Sequence, residues 1–240
     1  MSGALHRRVV LDARGMHVSA AVEDDFHHFA LRVTHDGTEV TGLEATALRN
    51  PWASCPSASA QLQQLVGTRL DAGGNGIDHF QQCTHQYDLA LMALAQALRG
   101  GRRDYLARVS DPVDGRGKAT LERDGQPLMA WSLDVSTIVA GTHLVGANLR
   151  KLDIDSIDDA ETAEAVKLLR RSVMVAGGRG HNFDQYASLA VFAGRMTGAC
   201  FAFQAHRLDE GLRVRGSVRD FSGGSTTPLA AYSGFASATR

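Results

Sequence analysis

Four runs in which apolar and polar residues alternate fill the first fifth of the chain, and turn dipeptides separate them. Residues 6–12 and 16–22 flank Arg14-Gly15, and residues 26–34 and 39–47 flank Asp36-Gly37. A period of two sends successive side chains to opposite faces of a strand. Phe29, Leu31 and Val33 therefore share one face, and Ala30, Arg32 and Thr34 the other. Asp-Gly supplies the positive φ angles of a two-residue hairpin turn. The opening is expected to be an antiparallel sheet of about four strands.

Asn50-Pro51-Trp52 ends this pattern. Pro56 suits the first position of a helix, Leu62, Leu65 and Val66 give that helix an apolar face, and Gly67 stops it. Residues 72–76 read as a loop. A second helix is capped by Thr84, carries Asp88 in its first turn, repeats Leu89, Met92, Ala93, Ala97 and Leu98 at helical spacing, and ends at Gly100-Gly101. Residues 104–110, 117–123 and 127–135 then read as strands, with Asp124-Gly125 as a tight turn. Residues 155–177 form one long helix with the stripe Ile157, Ala160, Ala163, Val166, Leu169 and Val173. Residues 186–196 are expected as a short helix, and 199–206 with 212–220 as a last strand pair. The expected fold class is α+β: a single compact unit over 1–240, with an antiparallel sheet packed by two helices in 1–100, a β-rich half with one long helix in 101–221, and a loosely held tail in 222–240.

Composition narrows the function classes. The formal net charge of −1 and the lack of a Lys/Arg block argue against nucleic acid and anionic membrane as partners. No apolar run reaches bilayer length, and the N-terminus lacks the apolar core of a signal peptide. A cytoplasmic location is the default expectation, and a homodimer the expected assembly. Three cysteines do not make a disulfide framework and read as thiols or ligands. There is no G-x-S-x-G, Walker or paired-carboxylate signature. The glycines at 177, 178 and 180 follow a helix, so they do not form a phosphate loop, which would follow a strand.

The chemistry-bearing residues cluster in 27–85. Cys55 and Cys83 each stand at an expected helix start, where free N–H groups and the helix dipole favour a thiolate. His85 lies within the same first turn as Cys83. His27 has the strand parity of Phe29 and points toward the side where the helices should pack, whereas His28 has the opposite parity. Two thiols and two imidazoles can hold zinc, with His27, Cys55, Cys83 and His85 as ligands. They can equally form a metal-free polar site or simple core. Farther on, Arg179 is a candidate carboxylate clamp and His181 a candidate proton carrier, against the commoner reading of a helix C-terminus. Arg213 and Arg215 share an expected strand face, Cys200 reads as core, and Tyr105, Trp131 and Tyr186 are candidate pocket walls.

Two resemblances rest on these residues. The ordered series Val40-Thr41-Gly42-Leu43-Glu44-Ala45, Asn50-Pro51-Trp52-Ala53-Ser54-Cys55-Pro56, Leu62-Gln63-Gln64-Leu65-Val66-Gly67 and Cys83-Thr84-His85 resembles the bacterial domain-of-unknown-function family 2889. That family name implies no activity, and its setting suggests aromatic catabolism. The order of strand, hairpin, helix-start Cys and second helix-start Cys is similar to the iron–sulfur scaffold and zinc sulfur-acceptor fold. This resemblance implies metal ligands at His27, Cys55, Cys83 and His85. The chain departs from it in lacking a strand Cys, in reading Cys-x-His at the later pair, and in its long second half.

The expected function is that of a small-molecule enzyme, a lyase (decarboxylation or C–C cleavage) before an isomerase or hydrolase. Its expected catalytic residues are His27, His85, Arg179 and His181, with zinc as the one candidate cofactor. The alternative is a zinc or iron–sulfur carrier serving a sulfur-transfer partner.

Overall fold

A computed structural model describes residues 3–234. The strands are β1 (Ala4–Arg14), β2 (His17–Glu23), β3 (His28–His35), β4 (Val40–Arg49), β5 (Gly101–Ser110), β6 (Arg116–Arg123), β7 (Gln126–Asp134) and β8 (Thr137–Gly141). They form one sheet in the hydrogen-bonded order β4-β3-β2-β1-β5-β6-β7-β8. The fold is α+β, with α1 (Thr84–Arg99), α2 (Ala160–Ala176) and several 3₁₀ turns beside the sheet. No described helix is long and apolar enough to cross a membrane.

Backbone contacts divide the chain into two compact units. Among the described residues, one comprises 3–8, 104–182 and 220–230; the other comprises 9–103, 183–219 and 231–234.

In the second of these, β2 and β3 pair antiparallel with Val18 opposite Val33, Ala20 opposite Leu31 and Val22 opposite Phe29. All six are buried, and α1, in which Leu89, Ala90, Ala93 and Leu94 are buried, packs on these two strands. β3 pairs with β4, His28 facing Arg49 and Phe29 facing Ala47, so Leu48 is an extra residue that bulges from the ladder. A bulge of this kind re-aims the side chains beside it.

Three local expectations are corrected here. The Asp36-Gly37 connection is four residues long rather than two, because the Asp36 carboxylate accepts from the N–H groups of both Thr38 and Glu39 and draws the loop around itself. The segment entered at Cys55-Pro56 is a 3₁₀ helix, Cys55–Leu65, whose buried residues Cys55, Ala58, Leu62 and Leu65 recur at intervals of three and four. The N-cap of α1 is Cys83 rather than Thr84, and no side chain caps it.

The expected strand pair in 199–206 and 212–220 is also overturned. Phe201–Phe203 and Ala205–Arg207 are single 3₁₀ turns, and 212–213 make only isolated bridges, Ser188 with Leu212 and Trp52 with Arg213. Gly216, at a φ of 67°, interrupts the second of these runs. In place of strands, Trp52, Cys55, Leu189, Ala193, Ala202 and Phe203 form a small core of their own.

In the other unit β5 to β8 run as a meander. Asp124-Gly125 is a two-residue turn with both φ angles positive, as the sequence suggests. Tyr105, Ala107, Val109, Ala119, Leu121, Met129, Trp131, Leu133 and Ile138 are buried, and α2 packs on β6. The long helix starts at Ala160, later than the expected 155, because Asp159 accepts from the N–H of Thr162 and sets the N-cap there. Strand β8 leaves no mark in the sequence pattern, because its five residues are too short to show a period. Of the expected tail, Pro228 and Leu229 are buried, and Arg8 donates to the Pro228 carbonyl; residues 235–240 lie outside the described residues.

Candidate acid–base site around His27 and His85

The site forms where the alternation breaks between β2 and β3. Asp24, Asp25, Phe26 and His27 make that connection, and all four are buried. A buried turn must find partners for its own backbone. Asp24 supplies several with one oxygen: Oδ1 accepts from the N–H of Phe26 and the N–H of His27, each at 2.8 Å, and lies 3.0 Å from His27 Nδ1. The Asp24 N–H in turn donates to the His27 carbonyl at 2.9 Å.

Arg49, at the end of β4, closes the turn from the other side. Its Nη1 donates to the carbonyls of Asp25 (2.7 Å) and Ser217 (3.1 Å). Its Nη2 donates to the carbonyls of Asp24 (2.5 Å) and His27 (3.3 Å) and to Glu23 Oε1 (3.1 Å). The planar, permanently charged guanidinium can satisfy so many carbonyls at once, and an ammonium cannot. Glu23 also lies 3.5 Å from His28 Nδ1. Burial pushes the His28 imidazole below its ordinary pKa, Glu23 opposes that shift, and Arg49 adds to it.

His85 meets this turn from the first turn of α1. The His27 and His85 ring centroids are 3.9 Å apart with the planes tilted by 39°. Phe29 flanks both, at 5.7 Å from His27 and 6.3 Å from His85, and Phe26 touches His27 edge-on at 6.2 Å. A carboxylate accepting at Nδ1 fixes the orientation and tautomer of an imidazole and leaves Nε2 for proton exchange. Asp24 and His27 have this relation, and His85 adds a second imidazole in contact. The inward histidine of the pair is thus His27, which is buried, while His28 is only partly so.

The thiols lie nearby in different surroundings. Cys55 and Cys83 are both buried and Cys200 partly so. Burial, followed by the influence of Cys83 and Cys200, pushes the Cys55 thiol well above its usual pKa. This corrects the expectation of a thiolate at that position: the segment behind Cys55 is a 3₁₀ helix without an α-helical N-terminus, and desolvation dominates. The N–H of Phe201 donates to the Gln82 carbonyl at 2.9 Å, which joins the peptide next to Cys200 to the one next to Cys83. Among the described residues, no group of three or more His, Cys, Asp and Glu side chains is disposed to hold a metal ion.

Arg179 and His181 lie in the other unit. Arg179 is engaged there by two carboxylates: Nε donates to Asp111 at 2.7 Å, and Nη1 to Asp220 at 3.3 Å. His181 is exposed. Tyr105 and Trp131 are buried in that unit's core, with the Tyr105 hydroxyl donating to Glu164 at 2.8 Å. Tyr186 packs on Phe192. Arg213 and Arg215 part company: Arg213 is buried and Arg215 exposed.

Sequence reasoning overlooked Asp24 and Arg49. The signal for Asp24 was available, since an Asp three residues before a buried His suits an Asx turn that also orients the ring. Arg49 gave none, because its role depends on the bulge at Leu48.

No curated protein is significantly similar to the chain. Residues 8–99, which contain the Asp24–His27 turn, Arg49, Cys55, Cys83 and His85, match the model of a family described as a protein of unknown function, DUF2889.

Proposed function

We propose that the chain is a small-molecule enzyme in which His27 and His85 exchange protons with the substrate and Asp24 holds His27 in place. The observation that carries this reading is the contact of the two imidazoles at 3.9 Å, one of them 3.0 Å from a buried carboxylate. A buried acid that orients one imidazole beside a second is an arrangement suited to general acid–base transfer. Nonpolar surroundings rich in rings (Phe26, Phe29 and Phe183) suit an apolar, aromatic substrate. A lyase is the reaction class favoured. In a decarboxylation the C–C electron pair stays on the substrate carbon as CO2 leaves. An imidazolium then gives its proton to that carbon and is reprotonated from water.

The test is a panel of small aromatic acids assayed for CO2 release. On an accepted substrate, His27→Ala and His85→Ala should each lower turnover roughly 100-fold or more with an unchanged circular dichroism spectrum. Full activity in His85→Ala removes His85 from the mechanism.

A second reading, a zinc or iron–sulfur carrier, draws on the three thiols: Cys55 and Cys83 are buried, and the peptide beside Cys200 is hydrogen-bonded to the one beside Cys83. Metal analysis and an absorbance spectrum of fresh protein test it. Stoichiometric zinc or iron, lost in Cys83→Ser, would favour it over the enzyme.

A further inference from the structure

Arg213 has a buried edge that its neighbours satisfy only in part, through one ion pair. Its side chain is 1% exposed. Nη1 spends both hydrogens, on the Pro51 carbonyl at 2.6 Å and on Ser217 Oγ at 2.9 Å. Nε lies 2.9 Å from Asp184 Oδ1, but the two are not aligned for a hydrogen bond, and Nη2 has no hydrogen-bond partner among the described residues. Unspent N–H groups on a buried cation are costly, and native structures retain them where water, an ion or a ligand completes the set.

The geometry narrows what that ligand is. The Nε–Nη2 edge of a guanidinium is a flat fork that matches the two oxygens of a carboxylate. The walls beside it are aromatic: the guanidinium carbon lies 5.6 Å from the centre of the Trp52 ring and 5.9 Å from that of Phe183. Phe183 touches Phe26 edge-on at 5.5 Å, and Phe26 touches His27. A line of ring contacts thus runs from the arginine to the acid–base pair within one unit. Arg179, the clamp expected from sequence, has its own carboxylate partners.

We propose that the Nε–Nη2 edge of Arg213 anchors the carboxylate of a small aromatic acid whose ring lies against Trp52 and Phe183. Asp184, with its side chain 42% exposed, balances the arginine when no ligand is bound and yields to the incoming carboxylate. The proposal rests on the acid–base reading only for what happens to the ligand after it binds.

Benzoate is the probe, and the readout is the indole N–H resonance of Trp52, with that of Trp131 as internal control. Benzoate should shift the Trp52 signal saturably and leave Trp131 unmoved, and benzamide should bind at least tenfold more weakly. Arg213→Gln should weaken benzoate binding tenfold or more, Arg213→Lys should weaken it less, and Asp184→Asn should bind benzoate at least as tightly as wild type. An unchanged benzoate Kd in Arg213→Gln, or no response of Trp52 in the wild type, overturns the proposal. If Arg213→Gln does not fold, the lysine variant and the comparison of benzoate with benzamide decide. His27→Ala and His85→Ala should bind benzoate normally, so loss of turnover and loss of the anchor are read separately.

Discussion

The β5–β8 meander and the corner around Asp24–His27 use arginine in opposite ways. In the meander's unit, Arg123 pairs with Glu161 at 2.8 Å, Arg108 pairs with Glu122, and Arg8 pairs with Asp104 at 2.7 Å. These are side-chain pairs open to water; Arg123 is 31% exposed and Arg108 41%. In the corner, Arg49 is 11% exposed and gives most of its hydrogen bonds to backbone carbonyls. A pair of solvated side chains can be lost with little change in either strand. A guanidinium bonded to four carbonyls fixes the path of the chain itself, and in this case the path that brings His27 Nδ1 to Asp24.

The sharpest way to break this contrast is to remove both kinds of arginine. Arg49→Ala leaves a set of buried carbonyls without a donor and should cost about 3–5 kcal/mol in urea unfolding. Arg49→Lys should recover only part of that, because a point charge cannot span the carbonyls. A cost under about 1 kcal/mol for the alanine variant would make the turn self-supporting and void the contrast.

The next test is chemical. The Cys55 thiol is held neutral by burial, so its folded pKa lies above its unfolded one near 9.0. The unfolded chain therefore loses this proton first. Stability should be whole below about pH 9 and decline above it by about 1.4 kcal/mol per pH unit from this residue. Cys55→Ala should lack that part of the slope, and identical slopes in the two proteins would place Cys55 in a more polar setting. The smallest effect belongs to the meander: Arg123→Ala should change stability by no more than about 1 kcal/mol, and less in high salt.

Legibility in the sequence followed the same division. Apart from β8, the strands of both units were readable because burial on one face enforces a period of two, and Asp124-Gly125 set its turn locally. The 3₁₀ helix at Cys55 and the single turns of 201–207 were not readable, because their form is set by packing around Trp52, Leu189 and Phe203 rather than by any period. Of the candidate residues, His27 and His85 were reachable from parity and helix position. Their neighbours were not: Asp24 meets His27 through a turn, and Arg49 reaches the carbonyls of that turn beside a bulge that no local pattern encodes.

Leu48, the extra residue of β4, is 57% exposed and contributes little by its own side chain. Its contribution is one unit of chain length. Removing it would leave Arg49 opposite His28 in an unbroken ladder and take away the local bend that aims its side chain at the carbonyls of the turn. Among relatives, position 48 should then accept almost any side chain and no gap. A comparison that scores residue identity alone would pass over the position on which the alignment of His27 depends.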